Sequence, residues 1–413
     1  MKAPPLVGFC LAFCTAAWAV DDDDWLDRLD AALTAATDNG DVRARLSGTA
    51  ELEYYSFKQP APGLIESSRD SLWNPRLVLF LDTQLGPELY AFVQGRVDRG
   101  FDPSSNRAEG RLDEYVLRYS PRGDYSLSFQ LGKFATVVGN WVSRHQAWDN
   151  PFVTAPLPYE NPTGIFDAAA AGSPAMLLSW SHVRSAIGEY HNQYRVPIIW
   201  GPSYATGAAV AGGLGKFEYA AEVKNASLSS RPQVWDVAQT QWQHPTFSTR
   251  FGFRPNAAWN MGFSASVGTY LQSSAETTVP PGHSLDDYRE IVLGQDLSYA
   301  WHLWQFWAEA YEARFEVPLV GNADSLAYYL EAKYKFTPQF FGAVRWNQQI
   351  YGTISDGLGG RLQWARAVRR LDIAGGYRFS AHSQLKIQVS LQDDGLGEKS
   401  YGTELAAQFV VKF

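Results

Sequence analysis

Apolar and polar residues alternate with a period of two along much of the chain. From Leu326 to Phe336 the even positions are apolar or aromatic, whereas Glu331 and Lys333 occupy odd positions. Segments 217–223 and 385–391 repeat this pattern. Successive side chains of a strand point to opposite faces, so each segment has one apolar and one polar face. Roughly a dozen or more such segments of about ten residues predict an all-β fold, a transmembrane antiparallel β-barrel.

Short and long connections alternate between these segments. The link at residues 85–87 is short, the link at 100–110 is long, and 318–324 is expected to be another long loop. Transmembrane barrels have this rhythm because tight turns lie on one side of the membrane and long loops on the other. The pattern therefore favours a barrel over a soluble sandwich.

The number of strands follows from parity. Segmentation gives fifteen strands outside residues 134–203. Both chain ends are expected on the periplasmic side, which requires an even total, so 134–203 must supply an odd number. If this stretch supplies one strand, the total is 16. If it supplies three, namely Ala175–Val183, Glu189–Ile198 and one more, the total is 18. Either total leaves an aqueous channel.

The first residues predict export. Residues 1–19 combine Lys2, an apolar run and the small-residue exit Ala17-Trp18-Ala19, which is the pattern of a secretory signal peptide. Both cysteines lie in this segment, so the mature chain is expected to form no disulfide and no thiolate metal site.

A short helical segment is expected between the signal and the barrel. Residues 20–42 begin with acidic residues, and Asp23 or Asp24 is a candidate N-cap for a periplasmic helix that ends near Asn39. The domain prediction is therefore a signal peptide at 1–19, a helical segment at 20–42 and a barrel at 43–413.

Composition supports the same class of protein. The chain carries 15 Trp, 21 Tyr and 23 Phe although its mean hydropathy is only −0.25. Membrane barrels place such rings in girdles at both interfaces with outer-membrane lipid. The formal net charge of −8 and the absence of a phosphate-binding glycine motif give no support for a nucleic-acid partner.

The final stretch, ELAAQFVVKF, alternates as far as Phe413. It resembles the C-terminal signature of bacterial outer-membrane barrels. The resemblance implies that Phe413 is an assembly signal recognised by the barrel assembly machinery, and that the last strand closes against the first. It also implies integral localisation in a Gram-negative outer membrane.

The architecture resembles the general porin superfamily and, more loosely, the phosphate-selective porins O and P. The stretch FQLGKFATVVG, Phe129–Gly139, is similar to the strand that leads into the constriction loop of those proteins. The resemblance implies passive diffusion of small hydrophilic solutes or ions, without enzymatic activity or a cofactor. It leaves open whether the protein is a homotrimer.

The expected lumen departs from that family. Inward positions mix both signs of charge instead of forming a basic ladder, so phosphate selectivity is not supported. The lumen-lining candidates are Arg96, Asp98, Arg111, Glu222, Lys224, Glu331, Lys333 and Arg345.

Residues 134–172 are expected to form an inward constriction loop. Within it, Gly139–Asp167 is long, aromatic and stiffened by four prolines, which is typical of a functional loop rather than a disordered one. Its charged side chains either face the pore or are merely solvated. The pore constriction candidates are Arg144, His145, Asp149 and Glu160; Arg231 is expected on a surface loop outside the constriction.

Two other functions stay open. Ser143, His145 and Asp149 are residue types of a hydrolase, although proximity in sequence does not establish a catalytic arrangement. Alternatively the barrel is a scaffold that sheaths a partner protein, such as an electron-transfer conduit, or that guides an exported polymer. The scattered histidines lack the spacing of a metal site.

Overall fold

The computed structural model describes residues 24–59, 61–65, 67–98, 109–182, 195–236, 242–393 and 401–413. The signal-peptide prediction at 1–19 and the Asp23 cap lie outside the described residues. Within these ranges, no helix has the length and apolar character needed to cross a membrane.

Sixteen long strands of the described chain form one antiparallel sheet. In chain order they are β1 (Val42–Ser56), β2 (Ser71–Leu85), β3 (Leu89–Asp98), β4 (Glu109–Tyr119), β5 (Ser128–Phe134), β6 (Ala205–Leu214), β7 (Phe217–Lys224), β8 (Thr246–Phe253), β9 (Trp259–Thr269), β10 (Arg289–Trp301), β11 (Trp304–Val317), β12 (Gly321–Lys335), β13 (Phe340–Tyr351), β14 (Val368–Arg378), β15 (Ser383–Asp393) and β16 (Tyr401–Lys412).

The sheet closes into a barrel. Each strand pairs with its neighbours in sequence, and β16 pairs with β1 through a register that runs from Leu405 opposite Ser56 to Lys412 opposite Thr49. Phe413 extends this seam, because its N–H and its carbonyl each bond the backbone of Gly48 at 3.0 Å. Closure therefore leaves no free sheet edge along the seam.

The predicted total of 16 strands is confirmed, but the count that led to it is wrong. All sixteen strands lie outside residues 135–203, whereas the segmentation of the sequence counted fifteen there and one inside. The segment beginning at Ala175 lies in a helix, Pro174–His182, and Arg195 forms only an isolated bridge with Phe166. The rest of the Glu189–Ile198 candidate up to residue 194 lies outside the described residues.

The expected long loop at 318–324 is also wrong. Strands β11 and β12 continue to Val317 and from Gly321, so only three residues connect them. The chain reverses there through positive φ angles at Leu319 (60°) and Gly321 (96°). Strand β12 begins with the polar residues Asn322 and Asp324 on its outward face, so this part of the strand lacks the apolar alternation by which strands are recognised.

The alternation of side chains sets the two faces of the barrel. Glu331 and Lys333 point inward and are buried, whereas Leu326 and Leu330 point outward and are exposed. At the end with the short turns, outward rings contact one another from strand to strand, as in Trp259–Tyr299 at 4.1 Å. Further members of this girdle are Phe217, Phe251, Phe253, Trp304, Phe306, Tyr334, Phe336, Phe340, Tyr377, Phe379 and Phe409.

The N-terminal helix is shorter than expected. It spans Asp24–Ala32 and is followed by a short strand, Thr34–Ala36, that pairs with the start of β1. Asp30 forms an ion pair with Arg45 at 2.8 Å, and Asp27 bonds His382 at 2.9 Å. These contacts attach the segment to the barrel.

Replacing Phe413 with aspartate is expected to lower the yield of closed barrel. The ring packs against Gly48, where an added Cβ would lie 2.7 Å from Phe413 Cζ, so the seam is fitted to this side chain. The measurement is the fraction of protein that shifts its gel mobility only after boiling.

The matched control is Lys412→Ala, which changes an inward residue one position earlier and keeps the seam register. Equal yields of the closed form from both variants would contradict a specific role for Phe413.

Candidate functional site

The chain between β5 and β6 lies inside the barrel. Its described residues are 135–182 and 195–204, and we call them the lumen loop. Glu309 of β11 accepts the N–H of Trp141 at 2.6 Å and the hydroxyl of Tyr159 at 2.6 Å. Asn347 of β13 accepts the N–H of Leu157 at 3.2 Å. Strand side chains therefore bond the loop backbone as well as its side chains.

The loop is organised locally by its prolines. Pro156 precedes the one-turn helix Leu157–Glu160, and Pro158 occupies its first turn. A proline there fixes φ at a helical value and loses no hydrogen bond, because the first N–H groups of a helix lack helical partners. This turn directs Tyr159 and Glu160 toward the barrel wall.

Cations of the wall, Lys386 and Arg345 among them, bond the carbonyl groups of the loop. Lys386 of β15 donates to the carbonyls of Ala147, Asn150 and Phe152 at 2.7, 2.9 and 3.1 Å. Arg345 of β13 donates to the carbonyl of Thr154 at 3.1 Å. Both cations are fully buried, so these bonds replace their hydration.

Arg144 is the first charged candidate of the constriction. Its guanidinium lies 2.6 Å from Glu331, bonds the Tyr329 hydroxyl at 3.2 Å and stacks over the Trp307 ring at 4.3 Å. The side chain is buried. Arg144 therefore joins the loop to β11 and β12, and Glu331 neutralises its charge.

Glu160 belongs to a second buried ion pair. It contacts Arg370 of β14, which also lies 3.1 Å from Asp372, and Asp372 lies 2.9 Å from Arg345. Burial raises the pKa of Glu160 above its ordinary value, although Arg370 opposes that shift. Loop and wall thus share a chain of alternating charges.

His145 and Asp149 have different environments. The ring of His145 contacts the Val142 carbonyl at 2.5 Å and the Tyr204 hydroxyl at 2.6 Å. Burial lowers the pKa of His145 to about 4; the Val142 bond opposes this shift and Arg96 adds to it. The imidazole is therefore neutral at pH 7, whereas Asp149 is exposed.

The hydrolase candidates are not linked as a catalytic relay among the described residues. The hydroxyl of Ser143 donates to the Asn140 carbonyl at 2.7 Å, and both ring nitrogens of His145 are occupied by Val142 and Tyr204. A nucleophile needs a base within hydrogen-bond reach.

A second charge network lies on the opposite wall. Arg76 of β2 is 3.3 Å from Glu51, 3.2 Å from Glu53 and 3.3 Å from Asp98. The remaining pairs of this network are Arg96–Asp113 at 2.9 Å, Arg111–Asp113 at 3.0 Å, Arg96–Asp98 at 3.4 Å and Arg111–Asp98 at 3.9 Å. Both signs of charge therefore alternate along β1 to β4.

The other lumen-lining candidates also point inward. Glu222 accepts the hydroxyl of Thr136 at 2.7 Å and lies 3.5 Å from Lys224, which donates to the Phe134 carbonyl at 2.6 Å. Lys333 lies over the Phe341 ring at 4.4 Å. The role of these residues in selecting solutes stays a prediction.

The structure adds a residue that the sequence did not single out. Arg370 was hidden because an inward charge that bonds a distant loop has no local signal beyond its strand position, whereas the inward position of Lys386 was inferred from the alternation of its strand. Arg231 was assigned wrongly: it is buried and lies 2.7 Å from Asp167 of the lumen loop. Among the described residues, no group of three His, Cys, Asp or Glu side chains is placed to hold a metal ion.

A cavity remains between the lumen loop and the inward faces of β2 and β3. Arg76 and Arg96 line it on the wall side, and Trp141, Trp200 and Tyr204 line it on the loop side. It has a volume of about 80 Å³. The ion pairs of Arg144 and Glu160 join the loop to β12 and β14, whereas β2 and β3 lie beside this cavity, where the amide of Gln146 donates to Gln94 of β3 at 3.1 Å.

No protein-family model and no curated protein matches the sequence. The fold is similar to several solved structures. The anion-selective porin from Comamonas acidovorans has a TM-score of 0.53 at 10% identity, covering 90% of this chain and 100% of that chain.

OmpF of Salmonella typhi, in complex with daunomycin, has a TM-score of 0.55 at 10% identity, covering 92% of this chain and 100% of that chain. OmpT of Vibrio cholerae in its trimer form has a TM-score of 0.54 at 8% identity, covering 90% of this chain and 99% of that chain. At these identities the likeness shows the fold alone, a porin-like barrel; the phosphate-selective type is not confirmed.

Replacing Glu331 with glutamine is expected to lower the free energy of unfolding by about 3 kcal/mol, since it leaves Arg144 buried without its anion. The measurement is denaturant unfolding of the detergent-solubilised barrel. Asp324→Asn is the matched control on the same strand: its partner Arg314 lies 2.6 Å away, but Asp324 is 50% exposed. Such a pair contributes at most about 1 kcal/mol. Equal losses in both variants would contradict the anchoring role of Glu331.

Acid is expected to weaken the packing around His145. Between its ordinary pKa of 6.5 and the lowered value of about 4, the unfolded chain binds a proton that the folded chain does not. The free energy of unfolding therefore falls as the pH drops from 7 toward 4, by on the order of 1–2 kcal/mol at pH 5.

The comparison is with His145→Gln, which has an amide in place of the titrating ring. Arg96, Arg76 and Asp113 act on His145 and are present in both proteins, so the difference between the two pH profiles isolates the histidine. Parallel profiles would refute the assignment.

Proposed function

We propose that the protein is a channel of the Gram-negative outer membrane through which small hydrophilic solutes or ions diffuse passively. The observation that carries the proposal is a closed sixteen-stranded barrel with an apolar exterior, a charged interior and a long loop held inside it. Barrels of this size enclose more space than their own side chains fill. A loop that occupies this space narrows the passage.

The passage is proposed to run along the wall from β1 to β4. The loop forms ion pairs with β12 and β14 through Arg144 and Glu160, which obstructs that side. Arg96, Asp98 and Arg111 line the other side, where the cavity lies. In this proposal Asp149 and His145 border the narrow section, whereas Arg144 and Glu160 hold the loop that forms it.

Assembly into a homotrimer is part of the same proposal. The outward surface of β2 carries Leu77, Leu79, Leu81 and Leu85, with Trp73 near the start of the strand, and at its short-turn end it lacks the rings that form the girdle from β7 onward. An aromatic girdle suits contact with lipid head groups, so the part of the wall that lacks the girdle is the part proposed to face the neighbouring protomers. Phe413 is proposed as the signal for the barrel assembly machinery.

A scaffold that sheaths a partner is the second candidate. The interior is already occupied by the chain itself: Trp141, Tyr159 and Ile198 of the loop pack against Tyr311 and Tyr329 of the wall. This occupancy favours a channel over a sheath. A hydrolase is disfavoured by the separate hydrogen bonds of Ser143 and His145 described above.

The purified barrel is expected to give single-channel currents in planar bilayers, and removal of the lumen loop is expected to raise the conductance several-fold. The N–H of Thr136 donates to the Pro202 carbonyl at 2.9 Å, so the ends of the loop are adjacent. A short glycine–serine linker can therefore replace residues 137–201.

The matched control removes another excursion whose ends also meet. The N–H of Asp356 donates to the Gly360 carbonyl at 3.1 Å, so a linker can replace the exposed hairpin tip 357–359, which keeps the buried Ile354 in place. This deletion is expected to leave conductance unchanged. Unchanged conductance without the lumen loop would refute its role as the constriction, and absence of currents from all three heat-modifiable proteins would refute the channel.

A further inference from the structure

Four cations lie together on the inner surface at the end of the barrel with the short turns. They are Lys333 and Lys335 of β12, Arg378 of β14 and Lys412 of β16, and we call them the mouth cations. Lys335 is exposed, and Arg378 and Lys412 are half-buried. Lys333 is the most buried of them at 8% exposure, yet its ammonium keeps a solvent-accessible surface. A solute at this end of the barrel can therefore reach all four.

The mouth cations differ from the deeper arginines of the barrel in their partners. Arg144 lies 2.6 Å from Glu331, and Arg345 lies 2.9 Å from Asp372. Within the described part of the chain, none of the four mouth cations forms an ion pair with a carboxylate. Their charges are therefore not neutralised by the protein in the way that the deeper charges are.

Two carboxylates act on the mouth cations at longer range. Glu331 attracts Lys333, but two arginines already hold it at 2.6 and 3.7 Å. Asp149 of the lumen loop attracts Lys412, but it is exposed. Arg378 repels both lysines, because it is a neighbour of each. This part of the mouth therefore has an excess of positive charge.

The N-terminal helix brings further carboxylates to the same end of the barrel. Asp27 bonds His382 at 2.9 Å, and Asp30 bonds Arg45 at 2.8 Å. These carboxylates therefore have partners other than the mouth cations.

The mouth cations occupy every second strand. The inward side chains between them are uncharged: Phe341 of β13, whose ring lies 4.4 Å from the Lys333 ammonium, and Gln384 of β15, which accepts a hydrogen bond from Arg378 at 3.0 Å. Neighbouring strands are about 4.8 Å apart, so alternate strands are roughly 10 Å apart. A ligand that contacts several of these cations must therefore carry its negative charges on separate groups.

The lumen loop reaches this cluster through one ring. Trp148 lies 5.1 Å from the Arg378 guanidinium and 4.3 Å from the Lys412 ammonium. A ring face attracts a cation without neutralising it, because the ring carries no net charge. Trp148 therefore positions two of the mouth cations and leaves their charge available to an anion.

We propose that the mouth cations form a binding site for small organic anions with two or three carboxylates, which reach it from the periplasmic side. Each carboxylate accepts charge-assisted hydrogen bonds from a different cation, and separate carboxylates suit cations on separate strands. The inference rests on the proposed channel, because it assigns a solute class to the periplasmic mouth of that channel.

The experiment uses citrate as the probe, with equilibrium dialysis against the detergent-solubilised full barrel. The ionic strength is held constant, because salt screens charges beyond about 10 Å at 0.1 M. Saturable binding is expected, and Lys333→Gln, Arg378→Gln and Lys412→Gln are each expected to weaken it about fivefold by removing one cation.

Arg254→Gln is the matched control for these variants. It removes the same charge at the same end of the barrel, but Arg254 already lies 2.9 Å from Glu218. Its citrate affinity is therefore expected to equal that of the unmodified protein. A heat-modifiable gel band verifies that each variant is folded.

Acetate and sulfate complete the set of probes. Stronger binding of citrate than of either supports the proposal. Equal or stronger binding of acetate overturns the need for several carboxylates, and equal or stronger binding of sulfate overturns the need for separate charged groups. An unchanged citrate affinity in all three mouth variants, or an equal loss in Arg254→Gln, overturns the location. No saturable citrate binding overturns the site itself.

The bilayer measurement separates this inference from the proposed function. Single-channel currents from a protein without a citrate signal in dialysis leave the channel intact and remove the site. Citrate binding by a protein that gives no currents leaves the site and removes the channel.

Discussion

The whole structure depends on the pairing of backbone groups between neighbouring strands. Lipid offers no hydrogen bonds, so every N–H and carbonyl at membrane depth needs a partner within the protein. The sheet meets this requirement by joining β16 to β1, where Phe413 and Gly48 exchange both backbone bonds. Closure then makes one face of every strand the outside and the other the inside. The alternation of residues follows from that geometry.

Closure also explains the mixture of charges. Inward side chains of a large barrel face a space that other strands cannot fill, so the chain fills part of it with its own loop. Burying that loop removes Arg345, Arg370 and Lys386 from water, which is costly unless each cation has partners. Carboxylates and loop carbonyls supply those partners. A lumen occupied in this way needs inward side chains of both charge signs, because a ladder of basic residues alone would repel itself.

The sequence predicts the barrel well and the interior poorly, for a physical reason. Strand alternation is local, so Leu326–Phe336 can be assigned to its faces from eleven consecutive residues. Ion pairs such as Arg144–Glu331 join residues 187 positions apart, and no local pattern specifies them. Arg231 was misplaced on the surface for the same reason. Its partner, Asp167, lies 64 positions earlier in the chain.

The contacts between loop and barrel make the interior asymmetric. Arg144 and Glu160 hold the loop to one wall through buried ion pairs, while the opposite wall keeps Arg76 and Arg96 at a cavity. A solute passing the loop would therefore meet rings on one side and cations on the other, instead of a symmetric ring of charge. In a narrow, partly dehydrated section such groups act through a lower effective dielectric than at the wide mouth. In the proposed channel, selectivity would then depend on which wall the loop occupies, and the ion pairs of the loop determine that wall.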